Sequence, residues 1–140
     1  MIDLKTLVQK LGVQLNLPQL ALNENNVCFL TFDNRIQVGL EGAPEPDICF
    51  LYTILCPIPT ENKHVLYETL MEGHLFGIGT RGGTFAASSQ FGHVFFFKRF
   101  DLKEVSFEGF LRELETFIQA YDFWQKKLGL PDFKPNQPAA

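Results

Sequence analysis

Leu70-Met71-Glu72-Gly73-His74-Leu75-Phe76 runs into Gly77-Ile78-Gly79-Thr80-Arg81-Gly82 and, past Gly83, into Thr84-Phe85-Ala86-Ala87. This stretch reads as the end of a helix, a glycine-rich turn and a strand. Upstream, Thr60 is placed to cap the helix with Glu61 in its first turn, and Val65, Leu66, Leu70 and Met71 form its apolar side. Gly73 is placed as its C-cap. The turn matches G-x-G-x-x-G, but a dinucleotide site needs a strand before the glycines and a helix after them, so that the helix N-terminus meets the pyrophosphate. The order here is reversed. The turn therefore reads as a flexible connector whose glycines permit positive φ.

Working outward, residues 84–89 and 93–100 read as two strands joined near Gln90-Phe91-Gly92. In the second, Val94, Phe96 and Phe100 point one way and Phe95 and Phe97 the other, which suits a central strand or one covered by a partner. The next segment is a long helix. Ser106 is its N-cap, and Phe107, Phe110, Leu111, Leu114, Phe117, Ile118, Tyr121, Trp124 and Leu128 recur at helical spacing. Gly129 and Pro131 stop it. Toward the N-terminus, residues 48–56 form an apolar run that reads as a strand buried on both faces, and 27–32 and 36–41 read as a hairpin turning at Asp33-Asn34. Residues 2–12 read as an amphipathic helix with the stripe Leu4, Leu7, Val8, Leu11, with Asp3 in its first turn and Gly12 near its end. By default that stripe packs as core. The alternative is an apolar groove beside the first two strands. The predicted order is α-β-β-β-α-β-β-α, an α+β fold with a twisted antiparallel sheet flanked by helices. Residues 1–128 form one domain and 129–140 a flexible, proline-rich tail.

The chain has 140 residues, a formal charge of −4 and 15 Phe. The acidic balance argues against nucleic acid and against insertion into or binding to an anionic membrane. That many phenylalanines exceed the needs of one core, so some are expected at an interface or groove. No basic segment followed by an apolar run opens the chain, and no apolar run is long enough to span a bilayer. The odd count of three cysteines, Cys28, Cys49 and Cys56, fits reduced thiols acting as small hydrophobes in a reducing cytosol.

Chemistry is sparse. His64, His74 and His93 lack the local spacing of a metal site, so no metal or cofactor is expected. Ser88, Ser89 and His93 are neighbours in sequence, but no G-x-S-x-G elbow surrounds either serine. The rival readings are a small-ligand-binding or sensing α+β domain and a hydrolase using one of those serines with His93.

From the second helix through the glycine turn, the Gly83-Thr84-Phe85-Ala86-Ala87 strand, Val94-Phe95-Phe96-Phe97 and the helix from Phe107-Glu108-Gly109-Phe110-Leu111 to Trp124, the chain resembles the class I type III secretion chaperones, the family that includes the Tir chaperone. The resemblance covers about residues 1–128. It implies a cytoplasmic bacterial homodimer that is not an enzyme and uses no ATP. It implies that the chain binds N-terminal segments of secreted effector proteins, keeps them secretion-competent and helps deliver them to the export apparatus, whose ATPase or sorting components are further partners. Carried onto this sequence, Leu4, Leu7, Val8, Leu11, Phe29, Ile36 and Val38 are the client-binding candidates. Leu66, Leu70, Phe76, Phe85, Val94 and Phe96 are the dimer-interface candidates.

Overall fold

Asp3 starts the first helix from outside it. Its carboxylate accepts the Thr6 N–H at 2.8 Å, so the residue expected in the first turn is the N-cap of α1 (Leu4–Gln14). The computed structural model describes residues 2–135. Gly12 lies near the end of α1, as expected, just short of its last residue, Gln14. It lies buried within the helix, and the chain folds back over it, with the Leu17 N–H donating to the Gly12 carbonyl at 2.7 Å. Asn16, at φ 57°, makes the turn.

Three antiparallel strands follow, β1 (Val27–Phe32), β2 (Ile36–Gly42) and β3 (Ile48–Pro57). Asp33 and Asn34 both take positive φ between β1 and β2, as expected for residues that tolerate the left-handed region. α2 (Lys63–His74) is entered at Asn62, which has φ 56° and no side-chain cap bond, so Thr60 and Glu61 lie outside its first turn. Gly73 is not the C-cap. It sits within the last turn of α2, where any side chain would overlap the Trp124 ring. β4 (Thr84–Ser88) and β5 (His93–Asp101) complete a five-stranded sheet of order β1-β2-β3-β5-β4, and α3 (Phe107–Leu128) ends the fold. Ser106 caps α3 by accepting the Gly109 N–H at 3.0 Å, and Gly129, at φ 64°, closes it, both as expected.

The apolar alternation of each strand decides which face is covered. Cys49, Leu51, Thr53, Val94 and Phe96 point inward and are almost wholly buried, together with Leu7, Val8 and Leu11 of α1 and Phe110, Phe117 and Tyr121 of α3. Phe96 stacks on Phe117 with centroids 4.7 Å apart, and Phe100 tilts against Phe110 at 5.0 Å. The Tyr121 hydroxyl donates to the Ile54 carbonyl at 2.9 Å, where a bulge between Ile54 and Cys56 interrupts β3. That bond gives the otherwise costly buried hydroxyl a partner. Asp132 and Phe133 follow α3 and are held against the body, Asp132 by Arg35 of the β1–β2 turn at 2.9 Å and Phe133 by the core. The start of the segment expected to be a tail therefore makes defined contacts. Residues 136–140, the rest of it, lie outside the described residues.

The glycine turn is pinned rather than loose. The Trp124 indole N–H donates to the Gly79 carbonyl at 2.9 Å, Arg81 bonds Gln119 at 2.9 Å, and Thr80 is buried. Gly77 and Gly82 take positive φ, as expected, while Gly79 serves close packing: a side chain there would run into the backbone of Gly73.

Candidate docking surfaces

With the core on one side, no helix among the described residues lies on the other face of the sheet. Register places Phe29, Gly39, Tyr52, Phe97 and Thr84 in one row across all five strands. The neighbouring rows bring Glu41 beside Phe50, and Phe95 between Ile54 and Ala86. Phe29, Phe50, Tyr52, Phe95 and Phe97 are each half-buried, so each shows part of an aromatic ring to solvent. Gly39 makes room in this layer, since even a methyl group there would sit 2.6 Å from the Tyr52 ring. Phe50 meets Phe97 edge to face at 6.2 Å, and Phe91, at the β4–β5 turn, meets Phe95 the same way. Together they form a shallow groove of about 750 Å³ over β3, β5 and β4. Burial raises the pKa of the Glu41 carboxyl, and burial together with the nearby Glu41 charge pushes the Tyr52 phenol up to about 12.

A second apolar surface lies at the corner where α2 ends. Met71 (75% exposed), Leu75, Phe76 (89%) and Ile78 (77%) stand in water side by side along the chain. Phe76 also has φ 55°, a left-handed backbone that a bulky side chain disfavours. A hollow of about 480 Å³, lined by Leu70, Met71, His74, Leu75, Phe76, Thr84 and Phe85, joins this corner to β4, one of the two edge strands of the sheet. The Nε2 of His74 is buried there and has no hydrogen-bond partner among the described residues. An open strand edge beside exposed apolar side chains is the usual preparation for pairing with another chain.

The residues expected from the sequence divide sharply between these surfaces and the core. Leu7, Val8, Leu11, Ile36 and Val38 are at most 1% exposed and belong to the one hydrophobic core. In the lone protomer they are core residues. Leu4 is half-buried, and Phe29 lies on the open face. Among the interface candidates, Leu70, Val94 and Phe96 are buried in the core, Leu66 and Phe85 are half-buried against it, and Phe76 stands fully out. Sequence reasoning missed Met71, Leu75 and Ile78 as surface residues, and Phe50 and Tyr52 as groove residues. Both lie in the apolar run 48–56, expected to be buried on both faces; the structure leaves Phe50 and Tyr52 half-buried on the outer one, and an unbroken apolar run carries no period that could have shown it.

Ser88 and His93 are cross-strand partners on the open face, yet among the described residues no side-chain hydrogen bond joins them. The Ser88 hydroxyl instead accepts the Phe91 N–H at 3.2 Å, and His93 packs edge-on to Phe95. Cys28, Cys49 and Cys56 are buried free thiols, with burial pushing their pKa values up to about 11, 12 and 11. Among the described residues no three His, Cys, Asp or Glu are gathered as a metal site, and no helix is long and apolar enough to cross a membrane.

This architecture recurs in solved structures. The chain superposes on the HopA1–SchA chaperone–effector complex with a TM-score of 0.72 at 17% identity, covering 87% of this chain and 92% of that one. Against the ExsC–ExsE complex the TM-score is 0.72 at 20% identity, covering 93% and 98%. Against the Yersinia pestis type III secretion chaperone SycH, bound to a stable fragment of YscM2, it is 0.64 at 15% identity, covering 86% and 98%. In sequence, a protein of Chlamydia pneumoniae is 25% identical over 111 residues, which make up 79% of this chain and 84% of that protein. The model of the Tir chaperone protein (CesT) family matches residues 6–125, from α1 to the last turns of α3. The α-β-β-β-α-β-β-α chain with one helix-covered and one open sheet face belongs to the Tir chaperone protein (CesT) family.

Proposed function

We propose that this chain is a cytoplasmic type III secretion chaperone that works as a homodimer and holds the N-terminal segment of a secreted effector on the open face of its sheet. The observation that carries this reading is the aromatic layer of Phe29, Phe50, Tyr52, Phe95 and Phe97, which no helix of the described chain covers and whose groove Pro135 of the C-terminal segment only borders. A folded monomer gains nothing by leaving so many rings half in water, whereas a client segment that lays apolar side chains on them gains the burial. The mechanism is holding. The segment loses conformational entropy, offset by apolar burial, and stays competent for export. Neither ATP nor a catalytic group takes part. Delivery then follows by contact with the ATPase or sorting components of the export apparatus. SchA and SycH, solved with partner chains, support an effector as the occupant.

The homodimer is assigned to the corner of Met71, Leu75, Phe76 and Ile78 and to the β4 edge. A bulky ring that is both fully exposed and held at positive φ costs stability twice over in a lone protomer, and a contact with a second chain offsets that cost. Site-specific photocrosslinking tests the client seat. A benzophenone side chain at Phe97 in the native host should capture the N-terminal segment of a secreted protein, and one at Val13, on the opposite side of the sheet, should not. The assignment fails if Val13 captures the client and Phe97 does not, or if Phe97→Asp leaves capture intact.

A further inference from the structure

The open groove carries a single charge. Of the side chains that line it, Glu41 is the one carboxylate, and beside it stand His93 and aromatic, aliphatic, small or amide groups. Glu41 has no ion pair among the described residues, where the salt bridges join Arg35 to Asp122 and Asp132, Lys98 to Glu113 and Lys126 to Asp122. Arg99 stands in the same row beyond Phe50 and makes no bridge to it. The carboxylate is partly stripped of water by Phe50 on β3 and by the Tyr52 ring over Gly39, and burial alone disfavours its charge.

A half-buried carboxylate bordered by ring faces matches one kind of side chain. A guanidinium forms two parallel hydrogen bonds to a carboxylate, lies flat on an aromatic ring and sheds its water more readily than an ammonium does. We infer that Glu41 selects clients whose chaperone-bound segment places an arginine among its apolar residues, the arginine pairing with Glu41 while the neighbours fill the groove between Phe50, Tyr52, Phe95 and Phe97. This inference rests on the open face being the client seat and adds to it the chemistry of the client.

Fluorescein-labelled dodecapeptides with leucine and isoleucine at the contact positions, and a central arginine, lysine, norleucine or glutamate, test it by anisotropy against the full chain. The arginine peptide should bind about fivefold tighter than the norleucine peptide at low salt, the advantage shrinking as salt rises. Lysine should fall between them, and glutamate should bind weakest. In Glu41→Gln the arginine and norleucine peptides should bind alike, and in Glu41→Lys the order should reverse in favour of glutamate. Equal binding of arginine and norleucine to the wild type, or an arginine preference that survives Glu41→Gln, overturns the inference. If the norleucine peptide binds and Phe97→Asp abolishes that binding, the client seat stands and only the arginine selection falls. If no peptide binds, or Phe97→Asp changes nothing, both fall.

Discussion

Replacing Phe76 by asparagine should break the dimer without harming the protomer. Phe76 is 89% exposed, so nearly its whole ring is available for burial by a second chain. Burying a phenylalanine side chain contributes about 1.5–3 kcal/mol. In a two-fold interface each substitution acts twice, so the loss is about 3–6 kcal/mol per dimer. At about 1.4 kcal/mol per tenfold, the dimer dissociation constant should rise roughly 10² to 10⁴-fold. The protomer should respond in the opposite direction. At φ 55° asparagine is tolerated where phenylalanine is strained, so the variant should be slightly more stable at concentrations where both are monomeric. Sedimentation velocity from nanomolar to tens of micromolar protein reads the first effect, and thermal unfolding at the dilute end reads the second. Val13→Asn, at a residue 79% exposed but far from the corner, is the control and should leave the dissociation constant unchanged. A wild type that stays monomeric at every concentration refutes the interface, and so does a Phe76→Asn dimer within threefold of wild type.

Two further outcomes follow from the core. Tyr121→Phe removes the donor to the Ile54 carbonyl and the acceptor for Gln125, leaving a buried carbonyl at the β3 bulge, and should lower stability in urea by about 1–3 kcal/mol; a loss under 0.5 kcal/mol would show that water replaces the hydroxyl. The three buried thiols keep their protons to about pH 11 or 12 in the folded chain but lose them near 9 when it unfolds, so the unfolded state binds fewer protons in that window and stability must fall as pH rises from about 9 to 11. Below pH 9 this contribution is fully present, and a melting temperature that stays flat from pH 8 to 11 contradicts the burial of these side chains.

The order of elements, the hairpin at Asp33-Asn34 and both caps of α3 were legible because each rests on local chemistry. The failures lie where a distant residue decides. Gly73 resembles a C-cap in its own neighbourhood, but the Trp124 ring packed against it is the reason for a glycine there. The glycine turn looks mobile for the same reason, since the indole that pins it comes from α3. The α1 stripe shows the limit of periodicity most plainly. Spacing says that Leu7, Val8 and Leu11 share a face, and it cannot say whether that face meets the chain's own sheet or another protein. The same ambiguity hid Met71, Leu75 and Ile78, whose exposure crosses the end of a helix into a loop and so has no period at all.

Two features of the fold make the open face and the corner a single device rather than two unrelated surfaces. β4 is at once the wall of the groove, through Ala86 and Ser88, and the edge strand beside Phe76, through Thr84 and Phe85. A partner docked along β4 would therefore extend the groove into that of its neighbour, since an antiparallel pairing of two β4 edges continues the sheet. A client segment longer than one groove would then cross the seam and touch both protomers. Its binding would stabilise the dimer by the same free energy with which the dimer favours its binding. This linkage makes the two assignments mutually testable: Phe76→Asn should weaken capture of a long client more than capture of a dodecapeptide, although Phe76 lines no part of the open groove. Equal weakening of both would mean that the substitution acts within one protomer, and the seam would have to lie elsewhere.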